Sequence, residues 1–120
     1  MNITSAGSGK AVAELLVEKE HTNRAGYLHG GFAATLVDSI TTIAMMSDAE
    51  AVDGLIPGVS VDLNVQFMSP AMTGSTIVLQ AETLRRGKSI AFLSVDIIDK
   101  SSRRLLARGN HVKYIVAPKL

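Results

Sequence analysis

One segment of this chain carries the apolar repeat of a long helix, and its position limits the folds that the other residues can adopt. From Gly31 to about Met46, apolar residues recur at three- and four-residue steps, as on one face of an amphipathic helix. That face consists of Ala33, Leu36, Val37, Ile40, Ile43 and Ala44. Such a helix is stable only when this face is buried, so the rest of the chain must supply a layer that covers it.

The other segments have the alternation and the turn residues of β-strands. The clearest is residues 59–67, in which apolar residues alternate with Ser60, Asp62, Asn64 and Gln66. Further strands are predicted at residues 11–17, 76–84, 90–98 and 105–116, with none before residue 11. Residues 21–31 and 47–57 are predicted to be loops, because they lack periodicity and contain turn residues.

This order predicts one α+β domain spanning residues 1–120. One strand, one long helix and four more strands joined by short turns are typical of an antiparallel meander. A curved antiparallel sheet wrapped around the helix would bury the helix's apolar face. A chain of 120 residues leaves much apolar surface exposed, and sheet edges favour pairing, so we expect at least a homodimer.

Composition argues against several classes of function. A net charge of +1 argues against nucleic acid as the main partner, since such proteins usually carry a basic surface. The absence of Cys excludes disulfides and cysteine nucleophiles, and the three His residues lack metal-ligand spacing, so no metal or cofactor is expected. No apolar run approaches the ~20 residues of a membrane span. Gly-x-Ser-x-Gly, Walker and Rossmann patterns are absent.

The loop that leads into the helix is the first candidate site. The first amides of a helix have no partners within the helix and lie at the positive end of its dipole. Gly30 and Gly31 would let a ligand approach that backbone, so the Gly30 amide could stabilise an oxyanion formed from a thioester carbonyl. The alternative is an ordinary turn in which His29 caps the helix, and the residues alone slightly favour it.

Asp38 is the second candidate, because it is the only acid in the helix and lies away from the apolar face. The stripe around it is small or apolar and consists of Ala34, Thr35, Thr42 and Met45. A solvent-exposed carboxylate is the alternative. Asp38 lies eight residues after Gly30, roughly 12 Å along a helix axis. If both act on one thioester carbon, the helices of two chains must run antiparallel so that Gly30 of one meets Asp38 of the other.

Ser60 and a basic hairpin tip are weaker candidates. The Ser60 hydroxyl could hold a water near Asp38, although an outward-facing polar strand residue is the simpler interpretation. The predicted turn between two later strands contains Arg85, Arg86, Gly87 and Lys88. Such a cluster could grip the phosphates of a nucleotide-bearing ligand, but an ordinary soluble turn explains the charge as well.

Two stretches, HTNRAGYLHGGFAATLVD from His21 and PGVSVD from Pro57, resemble the hotdog-fold acyl-CoA thioesterases. The resemblance covers nearly the whole chain, and it is strongest to the branch containing phenylacetyl-CoA thioesterase and thioesterase superfamily member two. It implies the hotdog fold, with a curved antiparallel sheet around one central helix. It also implies hydrolysis of a fatty or aryl acyl-CoA to the free acid and CoA.

The resemblance further implies residue roles. Asn23, His29 and the Gly30 amide would receive the thioester carbonyl, Asp38 of the opposite subunit would be the base or nucleophile, and Ser60 would position water. CoA would contact Asp62, Phe67, Met68, Ser69, Pro70, Ala71, Met72, Arg85, Arg86, Gly87, Lys88, Ser89, Ile90 and Tyr114. Family members form dimers that pair into tetramers, and CoA belongs to the substrate, so the resemblance implies no separate cofactor.

Two departures from the family leave details open. Members usually carry a helix before the first strand, which is expected to be absent here, and the loop at residues 47–56 is longer than in near relatives. Aliphatic residues of the helix and loop, with Phe32, Met45 and Met46, are expected to line the acyl pocket. A cytoplasmic or mitochondrial location is expected. The alternatives are a hotdog dehydratase or hydratase and a non-catalytic acyl-CoA-binding module.

Overall fold

The computed structural model describes residues 1–48 and 56–115. Its elements are β1 (Asn2–Gly7), β2 (Lys10–Leu16), a short 3₁₀ turn (Lys19–His21), α1 (Gly30–Met46), β3 (Val59–Phe67), β4 (Thr76–Arg86), β5 (Ile90–Asp99) and β6 (Leu105–Tyr114). The strands form an antiparallel sheet in the order β1-β2-β4-β5-β6-β3, and α1 contacts every strand of it. The α+β prediction of a curved sheet around one helix is therefore confirmed. No helix of these residues is long and apolar enough to cross a bilayer.

The strand β1 lies where the sequence predicted none. Ser8 and Gly9 both have positive φ, at 53° and 80°, which is the backbone of a tight two-residue turn between antiparallel strands. β1 consequently pairs along β2, yet all six of its residues are exposed. Because neither face of β1 is buried, its sequence lacks apolar alternation and only the Ser-Gly turn marked it.

The predicted meander is correct for β4, β5 and β6 but wrong for β3. β3 pairs with β6 at one edge of the sheet, whereas its sequence neighbour β4 pairs with β2 and β5. The connection from β3 to β4 crosses the end of the sheet and is held by backbone hydrogen bonds. The Met68 and Ser69 amides donate to Leu106 O, and the Gly74 amide donates to Val17 O. These long-range bonds allow a short connection to join two distant strands.

α1 buries the apolar face that its sequence predicted. Ala33, Leu36, Val37, Ile40 and Ala44 are buried in the main core, and Ile43 is partly buried beside it. The last turn of α1 is also covered on the side of Asp38. There, Met45 is completely buried and packs in a second cluster of Ala91, Leu93 and Ile115.

Residues 49–55 of the predicted loop and residue 116 of the last predicted strand lie outside the described residues.

β6 passes directly beneath the middle of α1 because Gly109 has no side chain. A Cβ at Gly109 would lie 2.9 Å from a methyl group of Val37 and 3.0 Å from a methyl group of Val95. Contacts this short do not occur between real side chains, so α1 would have to move away from the sheet. Gly109 therefore sets the close approach of the helix to the strand that carries part of the candidate site.

We expect Gly109→Ala to destabilise the protein by about 1–3 kcal/mol, because the added methyl group overpacks the contact with Val37 and Val95. Urea unfolding would measure the change in the free energy of unfolding. Gly7→Ala is the matched control, since a Cβ there meets no atom within 4 Å. Equal effects of the two substitutions would contradict this account of Gly109.

Candidate active site

A bulge in β3 places Ser60 on the side of the sheet that faces the helix. Ser60 pairs with Lys113 and Leu63 with His111, so Val61 is an extra residue on the bulged strand. The predicted alternation assigned Ser60 to the same face as Asp62, and that assignment is wrong. The extra residue shifts the alternation by one, so that Ser60 lies on the same face as Leu63 and Asp62 does not.

Ser60 joins a chain of hydrogen bonds centred on the buried His111. The Ser60 hydroxyl lies 2.7 Å from Nε2 of His111, and Nδ1 of the same ring lies 2.8 Å from Oγ1 of Thr41. Thr41 donates to the Val37 carbonyl at 2.7 Å, so its oxygen is free to accept from Nδ1–H. With the proton on Nδ1, Nε2 accepts from Ser60, and every polar atom of the buried imidazole has a partner.

Asp38 lies at the exposed end of this chain. Its Oδ1 is 3.9 Å from Nε2 of His111, and its side chain is 50% exposed. On the other side, the almost fully buried Lys113 donates from Nζ to Oγ1 of Thr42 at 2.8 Å. The Asp38 carboxylate therefore lies beside the His111 imidazole to which Ser60 is hydrogen-bonded, and it interacts electrostatically with the Lys113 ammonium group.

Burial of His111 favours the neutral form of its ring. Burial lowers the pKa of His111, and the positive charge of Lys113 lowers it further, against the opposing effects of Asp38 and Asp62. Burial also lowers the pKa of Lys113, and Asp38 opposes that shift. Nε2 of a neutral His111 can accept a hydrogen bond from the Ser60 hydroxyl group. The Ser60 oxygen then remains available to accept a hydrogen bond from another group.

Sequence reasoning assigned no role to Thr41, His111 or Lys113. A period-two interpretation of β6 could have identified two of them, because Ala107, Gly109, His111 and Lys113 share one face and are all buried. Two polar residues on a face otherwise occupied by small apolar residues indicate a buried polar site. Thr41 carried no comparable signal, because Thr is common on partly buried helices.

The sequence allowed two interpretations of the loop before α1, a turn capped by His29 and a Gly30 amide that binds an oxyanion. Nδ1 of His29 accepts from the Gly31 amide at 3.0 Å and from the Phe32 amide at 3.4 Å, so His29 is the helix cap. The Gly30 amide has no acceptor among the described residues. A capped helix start and a free amide therefore coexist, and the free amide is the one predicted to receive a carbonyl oxygen.

The side chain of Asn23 is held through its oxygen, so that its side-chain nitrogen remains free. Its Oδ1 accepts from the Ala25 amide at 3.0 Å and from the Tyr27 amide at 3.2 Å. The side-chain NH₂ has no acceptor in the described part of the chain, so it can donate to a ligand. The loop thus offers two unused donors, one from Asn23 and one from the Gly30 backbone.

The predicted CoA contacts divide into two groups at opposite ends of β3. Tyr114 pairs with Val59 and with Ile90, which places the hairpin tip (residues 85–90) and Asp62 near the Asp38 end. Residues 67–72 lie at the other end, where the Phe67 ring is 3.7 Å from the Cβ position of Gly30. Ser60 and Phe67 are separated by about 23 Å of extended strand. One chain therefore carries two half-sites.

β3 presents an unpaired edge between these half-sites. It is the last strand of the described sheet, and Val59, Val61 and Phe67 on it are largely exposed. An exposed, apolar edge strand favours pairing with another strand. Antiparallel pairing of two such edges would bring the Asp38 half-site of one chain to the Gly30 half-site of the other.

An apolar cavity of about 320 Å³ opens beside the start of α1. It is lined by Tyr27, Leu28, Ala33, Phe67, Met68, Ser69, Pro70, Ala71, Ile97, Leu106 and Ala107. Of the residues expected to line an acyl pocket, Phe32 instead stacks on His21, and Met45 and Met46 belong to the second core cluster. The described residues contain no cluster of three or more potential metal ligands.

The fold and the two half-sites define a hotdog-type domain with a free helix-terminal amide and a helix carboxylate. The thioesterase superfamily matches residues 25–106, and the chain belongs to this superfamily. Acyl-coenzyme A thioesterase 13 of Homo sapiens is 46% identical over 115 residues, which cover 96% of this chain and 79% of that protein. The family resemblance predicted from the sequence is confirmed.

Two solved structures are similar over nearly the same extent. Thioesterase superfamily member 2 of zebra fish has a TM-score of 0.89 and 45% identity, covering 95% of this chain and 80% of that one. Thioesterase superfamily member 2 of Mus musculus has a TM-score of 0.88 and 46% identity, covering 96% and 81% of the two chains.

Stability should fall in mildly acidic solution because His111 is buried in its neutral form. Its folded-state pKa is lowered from the ordinary value of 6.5. As the pH falls below 6.5, His111 becomes protonated in the unfolded state while it is still neutral in the folded state. Acid therefore favours unfolding until His111 is protonated in the folded state as well. We expect His111→Gln to lose less stability than the wild type between about pH 7 and pH 5. Urea unfolding across this range measures the difference.

A comparison of the two proteins at pH 8 provides the control. There, any loss of stability in His111→Gln reports the altered hydrogen bonds to Ser60 and Thr41 and the altered packing of a buried side chain, without a contribution from protonation, since His111 is neutral in both states. Parallel stability curves for the wild type and the variant from pH 8 to pH 5 would contradict the assignment.

Proposed function

We propose that this chain hydrolyses acyl-CoA thioesters to free acids and CoA, at sites that two protomers share. The observation that carries the proposal is the free Gly30 amide at the start of α1, together with the Asp38 carboxylate eight residues further along. The similarity to acyl-coenzyme A thioesterase 13 supports the choice of an acyl-CoA as the substrate. We also propose that two such dimers pair into a tetramer, as the family resemblance implies.

The Gly30 amide would stabilise charge on the carbonyl oxygen. The amide lies at the positive end of the α1 dipole and has no competing acceptor among the described residues. As the carbonyl carbon becomes tetrahedral, its oxygen gains negative charge, and the hydrogen bond from Gly30 strengthens. The free NH₂ of Asn23 supplies a second donor. Nδ1 of His29 accepts the hydrogen bond of the helix cap, so Nε2–H is the group of this ring that can donate to the substrate.

Asp38 of the other protomer would supply the base. A water held between the Asp38 carboxylate and the Ser60 oxygen attacks the carbonyl carbon and transfers a proton to Asp38. Collapse of the tetrahedral intermediate breaks the C–S bond, and the proton passes to the departing CoA thiolate. Direct attack by Asp38 would require the same placement, with an acyl-enzyme anhydride hydrolysed in a second step.

The neutral His111 ring would position Ser60 for this step. The Ser60 hydroxyl donates its hydrogen bond to Nε2 of His111. Toward the attacking water, the Ser60 oxygen can therefore act only as a hydrogen-bond acceptor. The Lys113 ammonium nearby disfavours a second positive charge on His111. The buried hydrogen-bond chain therefore selects the orientation of the hydroxyl group that the reaction needs.

Gly30→Pro tests the amide without disturbing the helix. Proline lacks the N–H group and is favoured at the first position of a helix, and the extended His29 (ψ 131°) suits a residue that precedes proline. We expect kcat for decanoyl-CoA hydrolysis to fall by about 10²–10³-fold, as it does when an oxyanion donor is removed. Thiol release measures the rate.

Gly30→Ala is the matched control because it retains the amide. Its Cβ would meet Phe67 at 3.7 Å, which is ordinary contact. We expect Gly30→Ala to remain within a few-fold of the wild type. Equal activity of the alanine and proline variants would exclude Gly30 as the oxyanion donor.

Mixed dimers test whether a site takes Gly30 and Asp38 from different chains. A purified heterodimer of Gly30→Pro with Asp38→Asn contains one shared site in which both groups are intact, so we expect about half of the wild-type rate. Each parent homodimer should be almost inactive. A heterodimer as inactive as its parents would place both groups of one site in a single chain.

The reverse combination is the control. A heterodimer of wild type with the double variant Gly30→Pro/Asp38→Asn has one damaged group in each shared site, so we expect almost no activity. If each chain formed its own site, this heterodimer would retain about half of the wild-type rate, and shared sites would be refuted. The two heterodimers contain the same substitutions in different arrangements.

A further inference from the structure

Thr41 contacts the His111 ring on the side away from the reacting groups. It is completely buried and lies three residues after Asp38 on α1. Its Oγ1 is 2.8 Å from Nδ1 of His111, whereas the Ser60 hydroxyl and the Asp38 carboxylate approach the other ring nitrogen, Nε2. The Thr41 hydroxyl is therefore linked to these two groups through the imidazole ring.

Two neighbours of the ring favour opposite positions for its proton. The Asp38 carboxylate lies 3.9 Å from Nε2 of His111, and its negative charge attracts a proton to that nitrogen. Thr41 instead offers an acceptor to Nδ1–H, because its own hydroxyl proton is donated to Val37 O at 2.7 Å. A neutral imidazole carries its proton on only one nitrogen. The Thr41 oxygen therefore opposes the attraction of Asp38.

The position of this proton decides the direction of the Ser60 hydroxyl. With the proton on Nδ1, Ser60 donates to Nε2, and its oxygen accepts from the attacking water. The water then donates to Ser60 and Asp38 and keeps a lone pair for the carbonyl carbon. With the proton on Nε2, the Ser60 oxygen accepts from the ring, and its own proton points to the water or to Asp38. That arrangement occupies a lone pair of the nucleophile or of the base.

We propose that Thr41 is a positioning residue for hydrolysis, which holds the His111 proton on Nδ1 and so keeps the Ser60 oxygen as an acceptor for the attacking water. This inference rests on the proposed thioesterase activity. The role of Lys113 is different, because its ammonium disfavours a second proton on the ring and does not contact either ring nitrogen. Thr41 controls the position of the single proton.

Thr41→Val removes the acceptor and retains the branched side chain. Nothing then opposes Asp38, so the proton moves to Nε2 and Ser60 reverses. We expect kcat for decanoyl-CoA hydrolysis to fall by about 10–10²-fold with little change in KM, since Thr41 does not contact the substrate. Thr41→Ser retains the hydroxyl and should restore the rate to within a few-fold of the wild type. Thr83→Val is the matched control, because its buried hydroxyl has no hydrogen-bond partner among the described residues.

A double variant separates positioning from a structural effect. If Thr41 acts through Ser60, adding Thr41→Val to Ser60→Ala should lower kcat far less than adding it to the wild type does. An equal fold-loss in the two backgrounds would show that the substitution only disturbs packing, and it would overturn the proposal.

Nitrogen-15 NMR of the imidazole nitrogens observes the proton directly. The signals that are missing from His111→Gln belong to His111. At about pH 8, where the ring is neutral, we expect the protonated nitrogen to be Nδ1 in the wild type and Nε2 in Thr41→Val. A wild-type ring protonated on Nε2, or a proton that stays on Nδ1 in Thr41→Val, would contradict the proposed role. Reversal of the proton without thiol release from the wild type would instead reject the thioesterase activity and retain the control of His111 by Thr41.

Discussion

The rigid helix between Gly30 and Asp38 is the constraint on which the proposed chemistry depends. The two residues lie eight positions apart on α1, about 12 Å along its axis. A base and an oxyanion donor must both lie about 3 Å from groups on one carbon atom. Because backbone hydrogen bonds hold α1 straight, no side-chain movement lets one chain place both groups there. In the proposed mechanism, assembly is therefore required for catalysis.

The buried polar residues connect that helix to the edge of the sheet. Leaving a buried polar group without a partner costs about 1–3 kcal/mol, but each ring nitrogen of His111 has a hydroxyl partner and Lys113 donates to Thr42. These contacts join α1, β3 and β6 at one place. They hold the β3 bulge beside Asp38, and the same burial that stabilises the neutral His111 ring orients the Ser60 hydroxyl.

The accuracy of sequence-based prediction differed between the helix and the strands. The apolar face of α1 was predicted correctly, because a helix repeat is visible within a few turns. β1 was missed because neither of its faces is buried, and Ser60 was assigned to the wrong face because one extra residue in β3 reverses the alternation. The roles of His111 and Lys113 depend on a helix about 70 residues away, so neither residue could be linked to Asp38 from local pattern.

By itself, the sequence determined the elements that bury apolar surface and the family motifs around Asn23, Gly30 and Asp38. These features are local, since hydrophobic periodicity and short motifs are contained within a few consecutive residues. Only the tertiary structure decided that β3 lies at the sheet edge, that Ser60 faces His111 and that a cavity opens beside Gly30. Those features depend on pairing and packing between residues far apart in the chain, and a single extra residue or a missing side chain, as at Gly109, changes the outcome.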